Sequence, residues 1–252
     1  MRRMAIINEK GGVGKTTTAI NLAAALLKQG HRTVLIDLDP QASASKGLGV
    51  ALSTSERTIY PVLRGELSLQ EALLTTPAGI DLVPSHLDLV ALGASLQVGR
   101  EMRLKKALPT LPPESYEFVL LACPPSLDRL TLNALAACNK ILIPIIPHVF
   151  SIYALLPLLQ VINQARHYYN PSLKVLGIVP MMCDTHKINL EREVLQQLPE
   201  LTRIPLLHRI RRTVRVAEAP AKGLPVLAYA SEHPVAEDFR ILAREVLNGT
   251  PA

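Results

Sequence analysis

A glycine-rich run stands between the first apolar segment of the chain and its first helical pattern. It follows Met4–Asn8, opens the helical pattern Lys15–Gln29, and reads Gly11-Gly12-Val13-Gly14-Lys15-Thr16-Thr17. Glycines let the backbone turn its N–H groups inward, and the following helix adds its positive N-terminal end. The run therefore predicts a phosphate-binding loop, in which Lys15 reaches the β- and γ-phosphates and the Thr16 hydroxyl coordinates Mg²⁺. Such a loop needs a strand before it and a helix after it.

Short apolar runs alternate with longer helical patterns along the rest of the chain. The predicted strands are Met4–Asn8, Thr33–Asp37, Ile80–Pro84, Phe118–Ala122, Lys140–Ile145 and Val175–Pro180. The predicted helices are Lys15–Gln29, Leu69–Leu74, Leu87–Val98, Arg100–Leu108, Leu130–Ala137, Ile152–Tyr169, Ile188–Gln197 and Val235–Leu247. Continuous apolar strands are typical of a parallel sheet that is covered on both faces. We expect a single α/β domain over residues 1–252, with a twisted, mostly parallel sheet and helices on both faces.

The composition excludes several classes of protein. A chain of 252 residues with 48% hydrophobic residues can build one large core and is not a disordered chain. Aromatic residues make up only 4%, which argues against a nucleic-acid module that works by base stacking. Three cysteines, Cys123, Cys138 and Cys183, lack metal-type spacing and indicate buried thiols in a reducing compartment. The net charge of +6 is compatible with a polyanionic partner.

The glycine-rich loop departs from the usual phosphate-loop pattern at two positions. Glu9 stands five residues before Gly14, where the pattern has glycine, and a second lysine, Lys10, precedes Gly11. In this form the loop resembles that of the ParA/MinD family of phosphate-loop ATPases, the deviant Walker-A type. The resemblance implies that ATP and Mg²⁺ are the ligands. It also implies that Lys10 reaches across a dimer interface to the nucleotide of the partner subunit.

Three further segments resemble motifs of the same family. Leu35–Ser43 resembles the second ATPase motif, Cys123–Leu127 the third, and Arg209–Pro225 the C-terminal signature. The resemblance runs from residue 3 to residue 248 and is closest to the chromosomal Soj-like ParA proteins. It implies that Asp39 orients the attacking water and belongs to the Mg²⁺ shell, together with Thr16.

The implied nucleotide site combines the loop with residues near the base. Lys10, Lys15 and Asp39 are the implied catalytic residues. The implied nucleotide contacts are Gly11, Gly12, Val13, Gly14, Lys15, Thr16, Thr17, Pro124, Met182, Arg212 and Thr213. Thr213 stands where the family usually has asparagine.

One acid of the family pattern is missing from this chain. The predicted strand Phe118–Ala122 ends in alanine, where the family has an aspartate that holds a water of the Mg²⁺ shell. A methyl group cannot accept that hydrogen bond. We expect nucleotide binding to survive, because the loop amides and Lys15 make most of the phosphate contacts, and hydrolysis to be slow.

Basic residues are concentrated near the C-terminal signature. No acid occurs between Glu200 and Glu218, whereas five arginines do: Arg203, Arg209, Arg211, Arg212 and Arg215. Soj-like proteins bind DNA without sequence preference through basic residues of this region, and the resemblance implies that Arg215 stands at one of those positions. Arg209, Arg211 and Lys222 are candidate DNA contacts because they belong to the same concentration of basic residues. Lys187 is a secondary candidate. The alternative is a solvated basic edge, in which one or two arginines pair with carboxylates or with the nucleotide.

The resemblance also implies the partners. They are a second copy of the chain with ATP, DNA of any sequence, and a ParB-like protein that stimulates hydrolysis, in a cytoplasmic protein associated with the nucleoid. The most apolar stretch, Ile141–Phe150, is far shorter than the ~20 residues that a membrane helix needs, so no membrane partner is expected. Three alternatives remain: the positioning of a protein cargo, a MinD-like cycle with a C-terminal amphipathic helix on lipid, and an electron carrier similar to nitrogenase reductase. The last needs paired cysteines for a cluster, which Cys123 and Cys138 do not match in spacing.

Overall fold

The computed structural model describes residues 1–93, 99–112, 115–184 and 189–249. In these residues the strands are β1 (Arg2–Ile6), β2 (Thr33–Asp37), β3 (Leu74–Thr75), β4 (Asp81–Val83), β5 (Phe118–Ala122), β6 (Lys140–Ile145) and β7 (Lys174–Pro180). They form one seven-stranded sheet in the order β3-β4-β2-β5-β1-β6-β7. Neighbouring strands pair in parallel, except that β3 and β4 are antiparallel.

Helices cover both faces of this sheet. They are α1 (Lys15–Lys28), α2 (Ser43–Gly47), α3 (Ile59–Arg64), α4 (Leu69–Ala72), α5 (Val90–Gly93), α6 (Arg103–Ala107), α7 (Arg129–Ala137), α8 (Val149–Tyr168), α9 (Asn189–Thr202), α10 (Arg215–Ala221), α11 (Val226–Tyr229) and α12 (Pro234–Asn248). One apolar core joins the sheet to α1, α2 and α10 to α12, and a second joins the other face to α3, α4 and α6 to α9. The predicted α/β fold is confirmed. None of the described helices has both the length and the apolar character needed to cross a membrane.

The strand register brings the carboxyl ends of the central strands to one edge. Ala122 at the end of β5 lies between Ile6 of β1 and Asp37 of β2. Side chains alternate between the faces of a sheet, so Asp37 shares a face with Leu35, and Ala122 shares it with Leu120. This face carries α1, the helix that follows the glycine-rich loop. The loop and the ends of β2 and β5 therefore meet beside the start of α1.

Differences from the predicted elements lie at element ends and in short segments. The first strand, β1, lies two residues before the predicted Met4–Asn8, and α9 runs five residues beyond the predicted end at Gln197. The predicted helix Leu69–Leu74 ends at Ala72, because Leu74–Thr75 pairs with β4 as an edge strand. The predicted helix Leu87–Val98 begins as a 3-10 turn, Leu87–Leu89, that leads into α5, and its residues 94–98 lie outside the described part of the chain. Helices α2, α3, α10 and α11 were not predicted. Each has at most seven residues, which is too short for a helical repeat of apolar positions to show in the sequence.

An ion pair between the buried carboxylate of Asp238 and the partly exposed side chain of Arg211 attaches α12 to the segment between α9 and α10. Asp238 is only 2% exposed, and its carboxylate accepts hydrogen bonds from Nε and Nη2 of Arg211 at 2.7 Å each. It also accepts the backbone N–H of Arg211 at 3.1 Å, and Nε2 of His208 lies 3.3 Å from it. Burial alone would raise the pKa of Asp238, but the hydrogen bonds from Arg211 and His208 outweigh burial and hold it well below its usual range.

We expect Asp238→Asn to lower the free energy of unfolding at pH 7 by ~2–3 kcal/mol. This lies between the typical cost of breaking an exposed ion pair and that of breaking a fully buried one. The native pKa of Asp238 is lowered, so its stabilisation is complete above the unfolded-state value of about 3.9 and is lost as the pH falls below it. Urea unfolding at pH 7 and at pH 3 measures both effects. The free energy of unfolding of the variant should be well below that of the wild type at pH 7, and the difference should be smaller at pH 3.

Glu237→Gln is the matched control, because Glu237 is the neighbouring acid on α12 and pairs with Arg240 and Arg244 on the exposed surface. That variant should cost less than ~1 kcal/mol. An equally small loss of stability in Asp238→Asn, or a loss that does not depend on pH, would contradict the role given to the Asp238–Arg211 pair.

Candidate functional site

The glycine-rich loop has the backbone geometry of an anion site. Gly12 and Gly14 have φ values of +73° and +93°, a region that favours glycine, and Gly14 is the N-cap of α1. The first turn of α1 contains no acidic residue, so the positive end of the helix is not neutralised. The N–H groups at this end and those of the loop are available to an anionic ligand.

The two lysines of the loop have different environments. Lys15 is buried, and its Nζ donates a hydrogen bond of 2.9 Å to the backbone oxygen of Lys10. Burial lowers the pKa of Lys15, and the negative charge of Asp39 opposes this effect. Lys10 is exposed, and its backbone N–H donates to Oδ1 of Asn8 at 3.0 Å. The backbone of Lys10 is therefore held in place while its side chain extends into solvent.

Asn8 connects the loop to the next strand of the sheet. Its Nδ2 donates to the backbone oxygen of Pro144 on β6 at 2.8 Å, and the side chain is buried. Its Oδ1 accepts from Lys10, as described above. Asn8 belongs to the predicted first strand, Met4–Asn8, but in the structure it lies just after β1 and supports the loop.

The two acids at the end of β2 differ in exposure. Asp37 is fully buried, and its carboxylate accepts from the backbone N–H of Ser45 at 2.9 Å, from Oγ of Ser45 at 2.8 Å and from the backbone N–H of Asp39 at 3.1 Å. Burial raises the pKa of Asp37 to about 6, although the hydrogen bonds from Ser45 lower it. Asp39 is half-buried, and its Oδ1 accepts the N–H of Gln41 at 2.9 Å. A carboxylate has room for further donors, so Asp39 can accept more hydrogen bonds than the one from Gln41.

The donors at this edge fit a magnesium ion that is shared with phosphate. Thr16 is half-buried at the start of α1, and Asp39 supplies a carboxylate. No group of three or more His, Cys, Asp or Glu side chains that could hold a metal occurs within the described residues. Mg²⁺ is usually held by one or two protein groups together with phosphates and water, so the sparse set of ligands suits it. Ala122, only 3% exposed between β1 and β2, adds no acceptor.

The residues assigned to the base come together from two segments. Met182 follows β7 with a φ of +55°, and its backbone oxygen accepts from Nε of Arg212 at 3.4 Å. The N–H of Cys183 donates to the oxygen of Ile210 at 3.0 Å, and the N–H of Arg212 donates to the oxygen of Cys183 at 2.9 Å. Thr213 follows directly and accepts the N–H of Arg215 at its hydroxyl. Pro124, also assigned to the nucleotide, follows the end of β5 at the same edge of the sheet.

Met181, which was not predicted as a site residue, joins these segments to the loop. Oγ1 of Thr18 on α1 lies 3.4 Å from its Sδ. A Cβ atom on Gly14 would stand 2.8 Å from Cε of Met181, so only glycine fits there without a shift. A single methionine after a strand carries no signal in the sequence. The contact exists only because β7 lies two strands from β1 in the sheet.

The basic residues assigned to DNA fall into two groups. Arg209, Arg215 and Lys222 are exposed. Arg215 pairs with Glu218 at 2.8 Å, an exposed pair of the kind that is easily exchanged for another anion. Arg211 differs, because its guanidinium is engaged through two nitrogens by buried Asp238, and we do not retain it as a DNA contact. Lys187 lies outside the described residues.

The three cysteines are buried and free, as predicted. Burial raises the pKa of the Cys123 thiol well above its usual value, and raises that of Cys138 and Cys183 to about 12. Thiols of this kind remain protonated at neutral pH and contribute packing rather than chemistry.

Comparison with known proteins identifies relatives over nearly the whole chain. Residues 1–175 match the family model described as an AAA domain, AAA_31. The chromosome-partitioning ATPase Soj of Treponema pallidum is 38% identical over 252 residues, which cover 98% of this chain and 97% of that protein. The Soj protein of Thermus thermophilus is 40% identical over 248 residues, with 98% and 96% covered.

A solved structure similar to this chain is that of cobyrinic acid a,c-diamide synthase from Mycobacterium smegmatis with bound ADP and magnesium. It superposes with a TM-score of 0.86 at 32% identity, covering 98% of this chain and 94% of that one. A complex of a McdA variant from Cyanothece with ATP has the same fold, with a TM-score of 0.88 at 21% identity and coverage of 100% and 98%. A loop with two lysines, acids at the end of β2 and full-length similarity to Soj together show that this chain belongs to the Soj/ParA family of phosphate-loop ATPases.

Proposed function

We propose that this chain is an ATP-dependent dimerising ATPase that binds DNA without sequence preference and partitions chromosome or plasmid DNA with a ParB-type partner. The observation that carries the proposal is the contrast between the two loop lysines. Lys15 is turned into the loop, whereas the side chain of Lys10 is exposed on a backbone that Asn8 and Lys15 hold at both ends. A lysine placed in this way can complete the site of a second subunit.

ATP and Mg²⁺ are the proposed ligands. Support comes from the unneutralised N-terminus of α1, from the Thr16 and Asp39 donors, and from the similar structure with ADP and magnesium. The loop amides and Lys15 would hold the β- and γ-phosphates, and Thr16 and Asp39 would hold the ion. Mg²⁺, when bound, supplies charge neutralisation and alignment of the phosphates.

The chain's own residues would carry the remaining steps. Lys15 would neutralise charge at the phosphates from inside the loop, and Lys10 would do so from the partner subunit. Asp39 would orient the attacking water through the acceptor positions that Gln41 leaves free. Asp37 holds the backbone of Asp39 by accepting its N–H, and so sets the position from which that side chain extends.

DNA binding would depend on the dimer. Arg209, Arg215 and Lys222 offer a monomer about three phosphate contacts, and two subunits on one rigid body offer twice as many. ATP would thus switch the protein from weak to strong DNA binding, and hydrolysis stimulated by the partner would reverse the switch.

A lipid-binding role for the last helix is disfavoured by its packing. The apolar residues Phe239, Leu242 and Val246 of α12 are buried in the core beside α1. An amphipathic helix that docks on a membrane needs its apolar face free. The MinD-like alternative therefore gains no support from this helix.

The oligomeric state tests the role of Lys10. We expect the protein to be a monomer with ADP and a dimer with ATP, because only ATP offers a γ-phosphate for the second lysine. Lys10→Ala should bind ATP and remain a monomer, whereas Lys15→Ala should lose nucleotide binding. Size exclusion with light scattering, combined with titration of a fluorescent nucleotide, measures both properties. Dimerisation of Lys10→Ala with ATP, or a wild-type monomer with both nucleotides, would contradict the proposal.

The turnover of Ala122→Asp tests the effect of the missing acid. A carboxylate at this position would add an acceptor for the Mg²⁺ shell, so ATP turnover should rise, by about 10- to 100-fold as for other outer-shell ligands. It would also stand beside buried Asp37, so without nucleotide the thermal midpoint should fall through like-charge repulsion. Phosphate release and thermal unfolding measure the two effects.

Ala122→Asn is the matched control for size, because it adds the same volume without the charge. It should gain less turnover and should not show the charge repulsion. An Ala122→Asp variant that hydrolyses ATP no faster than wild type would mean that Asp39 and the two lysines suffice.

A further inference from the structure

The 208–213 segment lies outside the helices and the sheet and is held from two sides. On one side it runs along the end of β7 and the residues that follow. There the N–H of Ile210 donates to the oxygen of Pro180 at 2.7 Å, and Cys183 makes the two backbone hydrogen bonds described above. On the other side α12 holds it through two acids, since the N–H of His208 donates to Oε2 of Glu245 at 2.6 Å and Arg211 pairs with Asp238. Asp238 and Glu245 are seven residues apart and so lie on one face of the helix.

Ile210 anchors the segment in the apolar core that it shares with α12, whereas the gap next to the ion pair is not closed by apolar side chains among the described residues. A cavity of about 200 Å³ lies there, lined by Cys183, Asp184, His208, Arg209, Arg211 and Asp238. The carboxylate of Asp238 spans the gap with a bidentate contact, a geometry that sets orientation as well as distance. Beside the apolar anchor at Ile210, these polar contacts therefore orient the segment against α12.

The same segment carries residues of both proposed sites. Arg212 and Thr213 stand on the side of the nucleotide base, and Arg209 is one of the proposed DNA contacts. The residues after β7, with which this segment pairs, include Met181, and Met181 lies against Gly14 of the loop and Thr18 of α1. A shift of the segment would therefore move the base pocket, the basic surface and the neighbour of the phosphate loop together.

We propose that Asp238 is a positioning residue whose ion pair with Arg211 sets the 208–213 segment for nucleotide binding and, through it, for DNA binding. The proposal rests on the proposed function for the identity of the two ligands. The proposal gives α12 a role at the site, although all of the sequence motifs that define the site lie in other segments. Asp238 itself touches neither ligand.

Affinity for N-methylanthraniloyl-ADP tests the first part. Asp238→Asn and Arg211→Met should each weaken binding about tenfold, which corresponds to ~1.4 kcal/mol. The double variant should be no weaker than either single one, because both remove the same interaction. Arg211→Lys, which keeps the charge, should recover part of the affinity. Glu237→Gln, on the same helix with an exposed pair, should bind like wild type.

DNA binding in the presence of ATP tests the second part of the proposal, because positioning and electrostatics predict opposite changes in DNA affinity. Asp238→Asn removes a negative charge and raises the formal net charge by one from +6, so electrostatics alone predicts tighter DNA binding. Positioning predicts weaker binding, because the basic segment moves. Fluorescence anisotropy of a labelled duplex at fixed salt distinguishes the two.

The outcomes separate this inference from the proposed function. A wild-type protein that binds neither ligand would overturn both. If the wild type binds and Asp238→Asn and Arg211→Met lose stability but keep nucleotide affinity within twofold, the ion pair is only structural and the inference is wrong. Arg211 is partly exposed, so its variants are expected to fold even if Asp238→Asn does not. Unchanged affinity in Arg211→Met and in the double variant would then overturn the inference.

Discussion

Parallel pairing of the central strands is the constraint on which the site depends. Strands that run in the same direction place all their carboxyl ends at one edge, and the register of β1, β5 and β2 brings Ile6, Ala122 and Asp37 side by side there. The glycine-rich loop leaves this edge and enters α1, which packs back onto the sheet. The loop, the acids at the end of β2 and the segment after β7 are thus neighbours in space although they are distant in the sequence.

Fixed backbone and free side chains are combined at this edge. Asn8 holds Lys10 and Asp37 holds Asp39, in each case through a backbone N–H. The side chains of Lys10 and Asp39 are left with few contacts of their own among the described residues. Because the supports act on the backbone, the two functional groups start from a set position and can still respond to a ligand.

Much of this arrangement could be predicted from the sequence, for definite physical reasons. Continuous apolar runs predicted the bounds of Thr33–Asp37, Phe118–Ala122 and Lys140–Ile145 correctly, because the middle of a strand covered on both faces is apolar at every position. The motifs placed the loop and Asp39 at the end of their strands. The assignment of Ala122 to the strand end was also correct, since it pairs with Asp37.

Other features could not be predicted, because they depend on which distant residues meet. A run of arginines without acids indicates a basic surface, but only the fold shows that Arg211 faces Asp238 on the last helix. The contact of Met181 with Gly14 likewise needs the strand order. Local patterns also fail for helices of one or two turns such as α2 and α11, which tertiary packing stabilises more than propensity does.

The salt dependence of DNA binding tests the central claim, that ATP doubles the basic surface by pairing two subunits. The logarithm of the association constant falls with the logarithm of salt by about 0.9 per phosphate neutralised. With Arg209, Arg215 and Lys222 as contacts, the slope should be about −3 with ADP and about −5 with ATP. Equal slopes with the two nucleotides, whatever the affinities, would contradict the account.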